Sequence, residues 1–260
     1  MWSAEKKLYR KKGVVILIGR LLGIGTDVGN KRNFNEDSVG YYEEEDFGIF
    51  IVADGMGGHN AGEVASKIAT DTVIEYVINH RNDPSQEKIL NEAILSANRK
   101  IYRESLLNEG CNGIGTTLVG VFLKGNNLTI VNIGDSRGYV LKGEELIKVT
   151  KDHSLVQELL DNGTITNEEA KNHPNKNVIT RALGTNPVVK ADYYNLDIRE
   201  VSKVILCSDG LTNEVSEEEI YRVLQVDSEN QCLELINMSK KNGGRDNISI
   251  IIFKGEWKCR

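Results

Sequence analysis

The chain has 260 residues, of which 40% are hydrophobic and 27% are charged, so it can bury a sizeable core and has the composition of an ordinary globular protein. Its formal net charge of −6 leaves no surplus of basic residues for phosphates, which argues against a nucleic-acid-binding protein. The four cysteines are scattered without a C-x-x-C pair, which favours a reduced, cytoplasmic protein.

The N-terminal region joins basic residues to a short apolar segment, Val14 to Ile24. This segment has about half of the ~20 residues that a membrane-spanning helix needs. It is also interrupted by Arg20, and no small-residue cleavage site follows it. We therefore predict a buried first strand here, a disordered basic arm over residues 1–12, and no stable insertion into a membrane. A peripheral membrane role is the alternative.

Apolar runs of strand length and longer helical patterns follow. Strands are predicted at 47–53, 117–123, 128–133, 138–141, 146–149, 203–207 and 248–253, and helices near 61–79, 85–107, 154–162, 217–225 and 230–241. Short turns such as KGNN and KGEE join the strands between 117 and 149, which predicts antiparallel hairpins. Helices grouped apart from meandering strands indicate an α+β fold. No repeat or low-complexity segment divides the chain, so we expect a single domain over residues 1–260.

The stretch FGIFIVADGMGGHNAGEVAS, residues 47–66, has the strand, glycine-rich turn and helix layout of a phosphate-binding loop. Both standard nucleotide motifs are excluded, because Glu63 and Val64 stand where a P-loop requires Lys and Ser or Thr, and Asn60 replaces the third glycine of the dinucleotide fingerprint. Asp54, at the end of the strand, would repel a bare phosphate but is suited to a cation. The segment therefore predicts a metal site.

Other acidic residues share the position of Asp54 at a strand end or in a glycine-marked turn. They are Glu36 and Asp37 in NEDS, Asp135 in NIGDSRG, Asp209 in VILCSDG and Asp246 in GGRDNIS. A carboxylate at the edge of an apolar run is costly to bury unless it is paired or metal-bound. A turn-capping aspartate would explain any one of these residues, but not five such sites in one chain.

These acids offer hard oxygen ligands, and no cysteine or histidine cluster has the spacing of a zinc site. Oxygen ligands suit Mg²⁺ or Mn²⁺. Several carboxylates can also hold two ions ~3.5–4 Å apart, an arrangement that polarises a phosphoryl group and activates a bridging water. Gly55 fits this interpretation, because a glycine beside Asp54 lets its backbone carbonyl approach an ion closely.

Eight motifs of this chain occur in an order that is typical of one enzyme family. They are TDVGNKRNFNEDS, VADGMGGHNAGEVAS, GIGTTL, NIGDSRGYV, KDHSLVQELLDNGTIT, NVITRALG, CSDGLT and GGRDNIS. From about Gly25 to Phe253 the chain thus resembles the metal-dependent protein phosphatases of type 2C (PPM), and the bacterial members in particular. The resemblance implies a four-layer α-β-β-α sandwich, with two antiparallel sheets flanked by helices, and hydrolysis of phosphoserine and phosphothreonine in proteins.

The resemblance also implies a dinuclear metal centre. Its expected ligands are Glu36, Asp37, Asp54, Gly55, Asp209 and Asp246. Asp54 would bridge both ions, and the last two acids of the set would bind one of them. The other ion would be bound by the Gly55 carbonyl and by one of the adjacent acids Glu36 and Asp37, and the sequence leaves open which of these two ligates directly.

Asp135 matches the acid that, with the Asp209 position, holds a third and weaker ion in bacterial relatives. The expected cofactors are therefore two Mn²⁺ or Mg²⁺ ions with a weaker third. Because every acid of the set is present, a non-catalytic scaffold protein is disfavoured. A metal-dependent phosphatase of small phosphate esters remains the alternative function.

Two further residues match catalytic positions of the family. Arg32 lies four residues before Glu36, the spacing of the phosphate-binding arginine, and a guanidinium can hold two phosphate oxygens in a fork. His59 is the candidate general acid for the leaving seryl or threonyl oxygen, because histidine titrates near neutrality. A surface arginine and a loop histidine that caps the next helix are the respective alternatives, and His153 is the competing histidine.

Residues 150–185 are a polar insertion, which we name the flap segment because it resembles the flap beside the active site of bacterial members. An ordinary helix–loop connection is the alternative. The implied partners are phosphorylated protein substrates and an opposing Ser/Thr kinase, with no nucleic acid. We expect a cytoplasmic monomer.

Overall fold

The computed structural model describes residues 8–11, 14–17, 22–44, 47–57, 61–111, 113–226, 228 and 230–255. The strands in this part of the chain are β1 (Leu8–Lys11), β2 (Val14–Leu17), β3 (Leu22–Asp27), β4 (Asp37–Glu43), β5 (Phe47–Met56), β6 (Gly115–Thr116), β7 (Leu118–Lys124), β8 (Asn127–Ile133), β9 (Arg137–Lys142), β10 (Glu145–Lys148), β11 (Asp192–Asp197), β12 (Lys203–Cys207) and β13 (Ile248–Lys254). The α-helices are α1 (Ala61–His80), α2 (Gln86–Leu107), α3 (Leu155–Asp161), α4 (Asn167–Lys171), α5 (Asp209–Thr212), α6 (Glu217–Gln225) and α7 (Gln231–Asn242).

These strands form two antiparallel sheets. One sheet has the order β1-β2-β3-β13-β12-β9-β10, and the other has the order β11-β8-β7-β5-β4, with β6 paired to β5. The predicted hairpins are present. Gly125 and Gly143, in the KGNN and KGEE turns, adopt φ angles of 57° and 60°, which lie in the left-handed region that favours glycine in tight hairpins.

Strand β13 shows how one sheet separates two apolar layers. Ile250 and Ile252 pack in a cluster with residues of α5, α6 and α7 on the outer face of the seven-stranded sheet. Ile251 and Phe253 instead pack in a cluster with residues of the other sheet. Successive side chains of a strand point to opposite faces, so one continuous apolar run supplies both layers.

Strand β5 does the same in the other sheet. Ile49 and Ile51 pack with α1 and α2, whereas Phe50 and Val52 face the layer between the sheets. The rings of Phe50 and Phe253 stack across that layer with their centroids 4.4 Å apart. Helices thus cover the outer face of each sheet, and the expected α+β fold, a four-layer α-β-β-α sandwich of two antiparallel sheets flanked by helices, is confirmed.

The N-terminal predictions are wrong in two respects. The segment predicted as one strand from Val14 to Ile24 contains two strands, β2 and β3, which pair antiparallel with Val14 opposite Gly25. Residues 8–11, within the arm predicted to be disordered, form β1 and pair with β2. An apolar run carries no signal for where a strand turns back, and doubling back gives its backbone groups hydrogen-bond partners. Residues 1–7 and 12 lie outside the described part.

The polar strand β11 is absent from the predicted elements. Its sequence, DYYNLD, has too little apolar alternation to mark a strand, and it pairs with β8 at the edge of its sheet. Among the helices that the structure describes, none has both the length and the apolar character that crossing a membrane requires.

Candidate metal centre

The predicted acids, which come from distant parts of the chain, lie close together. The register of β4 and β5 places Asp37 directly opposite Asp54. The backbone of Asp54 is fixed by Thr117, whose hydroxyl accepts from the Asp54 amide at 3.0 Å and whose own amide donates to the Asp54 carbonyl at 2.9 Å. Two carboxylates from neighbouring strands thus form one side of the site.

Ser208 links this pair of acids to the other sheet. Its hydroxyl donates to Asp37 Oδ2 at 2.8 Å and accepts from the Ser249 amide at 3.0 Å. Asp209 follows directly and begins α5. Burial raises the pKa of Asp37 to about 7, although bonds from Ser249 and Ser208 oppose that effect, and repulsion by Asp209 adds to it. The sheets therefore meet at a point where their acids repel one another.

Four other acids act on the pKa of Asp54. Burial raises its pKa well above the usual range, and the charges of Asp37, Asp209, Asp135 and Asp246 raise it further. We call these five residues the acidic centre. Burial also raises the pKa of Asp135 to about 8 and raises that of Asp209. A bound cation would relieve this mutual repulsion.

Two oxygens of the acidic centre, Asp37 Oδ1 and Asp209 Oδ1, are buried and have no hydrogen-bond partner. A buried acceptor without a partner is destabilising, and a cation would satisfy it. The second oxygen of Asp209 accepts from Asn213 Nδ2 at 2.8 Å. Hard oxygen donors with unused lone pairs fit Mg²⁺ or Mn²⁺.

The acidic side chains do not converge on a finished coordination shell. Among the described residues, no group of three or more His, Cys, Asp or Glu side chains is arranged to hold a metal ion. A bound ion would therefore need side-chain rotation, backbone carbonyls such as that of Gly55, and water to complete its coordination.

Glu36 and Gly55 lie where β4, β5 and α1 meet. Glu36 Oε1 accepts from the Gly62 amide at 3.1 Å, and the Glu36 carbonyl accepts from the Gly55 amide at 3.2 Å and from Ser66 Oγ at 2.6 Å. A Cβ on Gly55 would lie 2.2 Å from the Gly62 carbonyl oxygen and 2.5 Å from that of Glu36. Close approach of three backbone segments therefore requires this glycine, apart from any role toward an ion.

Arg32 forms a two-pronged ion pair with Asp246. Its Nη2 donates to Oδ2 and its Nε lies beside Oδ1, each at 2.9 Å. The hydrogen bond to Asp246 raises the pKa of Arg32, and the charges of Asp246, Glu36 and Asp54 add to the effect. The predicted phosphate-binding arginine thus faces the acidic centre.

Asn247, which is not among the site residues predicted from the sequence, positions the segment that carries Arg32. Its Oδ1 accepts from the Glu36 amide at 2.8 Å, and its Nδ2 donates to the carbonyls of Val28 and Phe34 at 3.0 and 2.9 Å. The missed residues Asn247 and Ser208 each adjoin an acid within a recognised motif, GGRDNIS and CSDGLT. Their position next to an acid is the only sign of them in the sequence. That position does not show whether a side chain helps to hold the site in place or has no role in it.

Of the two histidines proposed as the general acid, the structure describes only His153. His59 lies outside the described residues, so its role as general acid stays a prediction. His153 is buried, its Nδ1 accepts from the Gly134 amide at 3.1 Å, and its Nε2 lies 3.1 Å from Asp192 Oδ2. Burial lowers the pKa of His153. Because both ring nitrogens are engaged within the protein, His153 is poorly placed to protonate a leaving group.

The flap segment lies beside the acidic centre. It contains α3 and α4, and a bond from the Thr180 amide to the His153 carbonyl, at 2.8 Å, ties its end to its beginning. A cavity of about 990 Å³ lies between this segment and the start of α5 and α6. Asp135 and Asp209 line that cavity together with Val156 of the flap segment. The flap segment thus lies at the acidic centre, and its role as a flap stays a prediction.

Similarity to known proteins was found at the level of family, sequence and fold. A family model described as protein phosphatase 2C matches residues 24–247. The serine/threonine phosphatase stp of Listeria monocytogenes serotype 4b is 40% identical over 235 residues, which cover 87% of this chain and 92% of that protein.

Solved structures agree. Serine/threonine phosphatase Stp1 of Staphylococcus aureus has a TM-score of 0.84 and 34% identity, covering 91% of this chain and 95% of that one. The catalytic domain of the serine threonine protein phosphatase PstP, solved with two manganese ions, has a TM-score of 0.77 and 34% identity, covering 90% of this chain and 96% of that one.

Proposed function

The chain belongs to the protein phosphatase 2C family, and we propose on that basis that it is a metal-dependent enzyme that hydrolyses phosphoserine and phosphothreonine in proteins. The observation that carries this proposal is the acidic centre, with its two buried and unpaired oxygens on Asp37 and Asp209. Relatives named as serine/threonine phosphatases support a protein substrate.

We propose two Mn²⁺ or Mg²⁺ ions, as in the PstP complex with two manganese ions. Asp54 would be shared by both ions. Asp209 and Asp246 would hold one of them, and the Gly55 carbonyl with Glu36 or Asp37 the other. The Asp37 Oδ1 atom favours a direct role for Asp37, because it is buried and has no hydrogen-bond partner. When bound, such ions polarise the phosphoryl group and lower the pKa of the attacking water.

Asp135 is proposed to hold a third, weaker ion together with Asp209. It lines the cavity beside Asp209, and repulsion between these two acids contributes to its raised pKa. Replacing Asp135 by alanine should leave two bound ions in a titration with Mn²⁺ but lower the turnover number. Wild-type turnover of this variant at every Mn²⁺ concentration would exclude the third site.

Two side chains of this protein are proposed to bind the substrate phosphate and to protonate the leaving group. Arg32 is proposed to hold two phosphate oxygens in its fork, and His59 is proposed to give a proton to the seryl or threonyl oxygen as it departs. The flap segment would form one wall of the path by which a phosphoprotein reaches the acidic centre.

We further propose a single phosphatase domain over residues 1–260, acting as a cytoplasmic monomer on proteins phosphorylated by an opposing Ser/Thr kinase. The free thiols of Cys111, Cys207 and Cys232 support a reducing compartment. The net charge of −6 argues against a nucleic-acid partner. Light scattering on the purified chain would test the monomer.

The main experiment measures hydrolysis of a phosphothreonine peptide in excess chelator and after Mn²⁺ is restored. Activity should disappear and return. Asp54→Asn should be inactive in Mn²⁺ with an unchanged circular dichroism spectrum, because the shared ligand loses its charge. Turnover in excess chelator would refute the metal centre. A higher kcat/KM for metabolite phosphates than for phosphopeptides would instead favour the phosphatase of small esters.

A further inference from the structure

Asp246 differs from the other acids of the centre in what its carboxylate already binds. Arg32 contacts both oxygens, Oδ2 through Nη2 and Oδ1 through Nε, and the Asn247 amide also donates to Oδ1 at 2.9 Å. A carboxylate offers about four lone-pair directions, so these three contacts use most of them. Asp37 and Asp209, in contrast, each have a buried oxygen without a partner.

The Arg32 side chain can leave Asp246 without disturbing the fold. It is 52% exposed. The backbone around it is anchored by other residues, since the Asn30 amide donates to the Gly244 carbonyl at 2.7 Å and Asn247 binds the carbonyl of Phe34. Rotation of the side chain is therefore sufficient to break the ion pair.

A divalent cation at Asp246 would need the carboxylate oxygens that the Arg32 guanidinium contacts. The metal ion and the guanidinium would then lie beside the same carboxylate and repel each other. We propose that Arg32 is an internal counter-ion of Asp246 which a divalent metal displaces, so that metal binding releases the guanidinium to bind substrate phosphate. This inference rests on the proposed function, because it takes Asp246 as a metal ligand and Arg32 as the phosphate-binding residue.

The coupling acts in both directions. The ion pair weakens metal binding, and bound metal weakens the ion pair. The two effects have the same free energy. Phosphate bound to Arg32 should in turn raise the affinity for metal. Ion pairs with exposed partners are weak, so the expected change in metal affinity is about 2- to 10-fold.

Arg245 provides a matched control. It precedes Asp246, and its guanidinium binds Glu214, with Nε at 2.6 Å from Oε1 and Nη2 at 3.2 Å from Oε2. Arg245→Ala therefore removes the same formal charge at the adjacent position of the chain but leaves the carboxylate of Asp246 untouched. Any effect of net charge alone should appear equally in Arg245→Ala and Arg32→Ala.

The first measurement is Mn²⁺ affinity by isothermal titration calorimetry on the wild type, Arg32→Ala, Arg245→Ala and Asp246→Asn. Arg32→Ala should bind Mn²⁺ about 2- to 10-fold more tightly than the wild type, whereas Arg245→Ala should change by less than about twofold. Unchanged or weaker binding by Arg32→Ala, or equal tightening in both variants, overturns the inference. Wild-type affinity in Asp246→Asn would refute Asp246 as a ligand, and thus a part of the proposed function.

The second measurement observes the guanidinium directly. In the ¹⁵N spectrum, the Nε–H signal of Arg32 is assigned by its loss in Arg32→Ala, and diamagnetic Mg²⁺ is then titrated into the wild-type protein. The Arg32 signal should shift and exchange faster with solvent as Mg²⁺ binds, while the Arg245 signal stays in place. An Arg32 signal that does not change at saturating Mg²⁺ overturns the inference but leaves the proposed metal centre intact.

Discussion

At the scale of single residues, Asp37 shows how a carboxylate is oriented by a residue that directly follows a strand of the other sheet. One of its oxygens accepts from Ser208, which orients the carboxylate, and the other is buried and unpaired. Partners of this kind commonly change metal affinity or activity by about 10- to 100-fold when they are removed.

Ser208→Ala should therefore weaken Mn²⁺ binding by about 10-fold, because Asp37 loses both its orientation and a bond that stabilises its charged form. Calorimetric titration with Mn²⁺ measures this. Ser105→Ala is the control, since Ser105 is also buried but binds the Tyr102 carbonyl within α2. Equal affinities in the wild type and Ser208→Ala would show that Asp37 needs no such support.

The role of His59 can be tested through the leaving group. A seryl alkoxide departs badly unless it is protonated, so a positioned acid should contribute about 10²- to 10⁴-fold. p-Nitrophenolate is stable and needs no proton. His59→Ala should thus lower kcat far more for a phosphoserine peptide than for p-nitrophenyl phosphate. The same selective loss in His153→Ala would move the assignment to His153, and equal losses on both substrates would refute an acid role for His59.

At the scale of elements, the centre depends on how closely β4, β5 and α1 approach one another. Gly55→Ala would force a Cβ to 2.2 Å from the Gly62 carbonyl, so the strand and helix must separate. We expect this variant to lose Mn²⁺ binding and to unfold at a lower temperature, as differential scanning calorimetry would show. Gly110→Ala should be neutral, since nothing lies within 4 Å of a Cβ there. A wild-type Tm for Gly55→Ala would contradict the steric argument.

The base of the flap segment should respond to pH through His153. Burial lowers its pKa in the folded protein, whereas the unfolded chain binds the proton with a pKa of about 6.5. Below that pH, His153 binds a proton more readily in the unfolded state than in the folded state. The free energy of unfolding should therefore fall as pH decreases. Urea unfolding at pH 7.5 and 5.5 should show a larger loss for the wild type than for His153→Gln. Equal losses would mean that His153 has the same pKa in the folded and the unfolded state.

At the scale of the whole molecule, the acidic centre places like charges from the two sheets close to one another. Asp37 and Asp54 belong to one sheet, while Asp209 follows β12 and Asp246 precedes β13 of the other. Repulsion between these carboxylates therefore acts between the sheets, and a bound cation would join them.

Stability should consequently depend on pH and metal together. The pKa values of Asp37 and Asp135 are raised to about 7 and about 8, so in chelator their contribution to the free energy of unfolding should fall as pH rises from ~4, the usual aspartate pKa, to about 8. Mn²⁺ should raise Tm by about 5 °C or more at pH 8. It should raise Tm less at pH 5, where protons compete with it. Calorimetry at both pH values checks this, and equal shifts would contradict it.

The sequence by itself determined the features that are written locally. Apolar runs such as residues 248–253 marked central strands, KGNN and KGEE marked hairpins, and aspartates at strand ends marked a site for hard cations. The order of eight motifs then indicated the phosphatase family, which the family match over residues 24–247 confirms. Each of these signals is carried by residues within a few positions of one another.

Only the tertiary structure decided which atoms meet. Ser208 reaches Asp37 across 171 positions, and Arg32 reaches Asp246 across 214. It also decided that the N-terminal apolar run doubles back into two strands, and that His153 is held by Gly134 and Asp192. Packing between the two sheets decides which carboxylate oxygens form hydrogen bonds and which stay unpaired. No local pattern of residues encodes that packing.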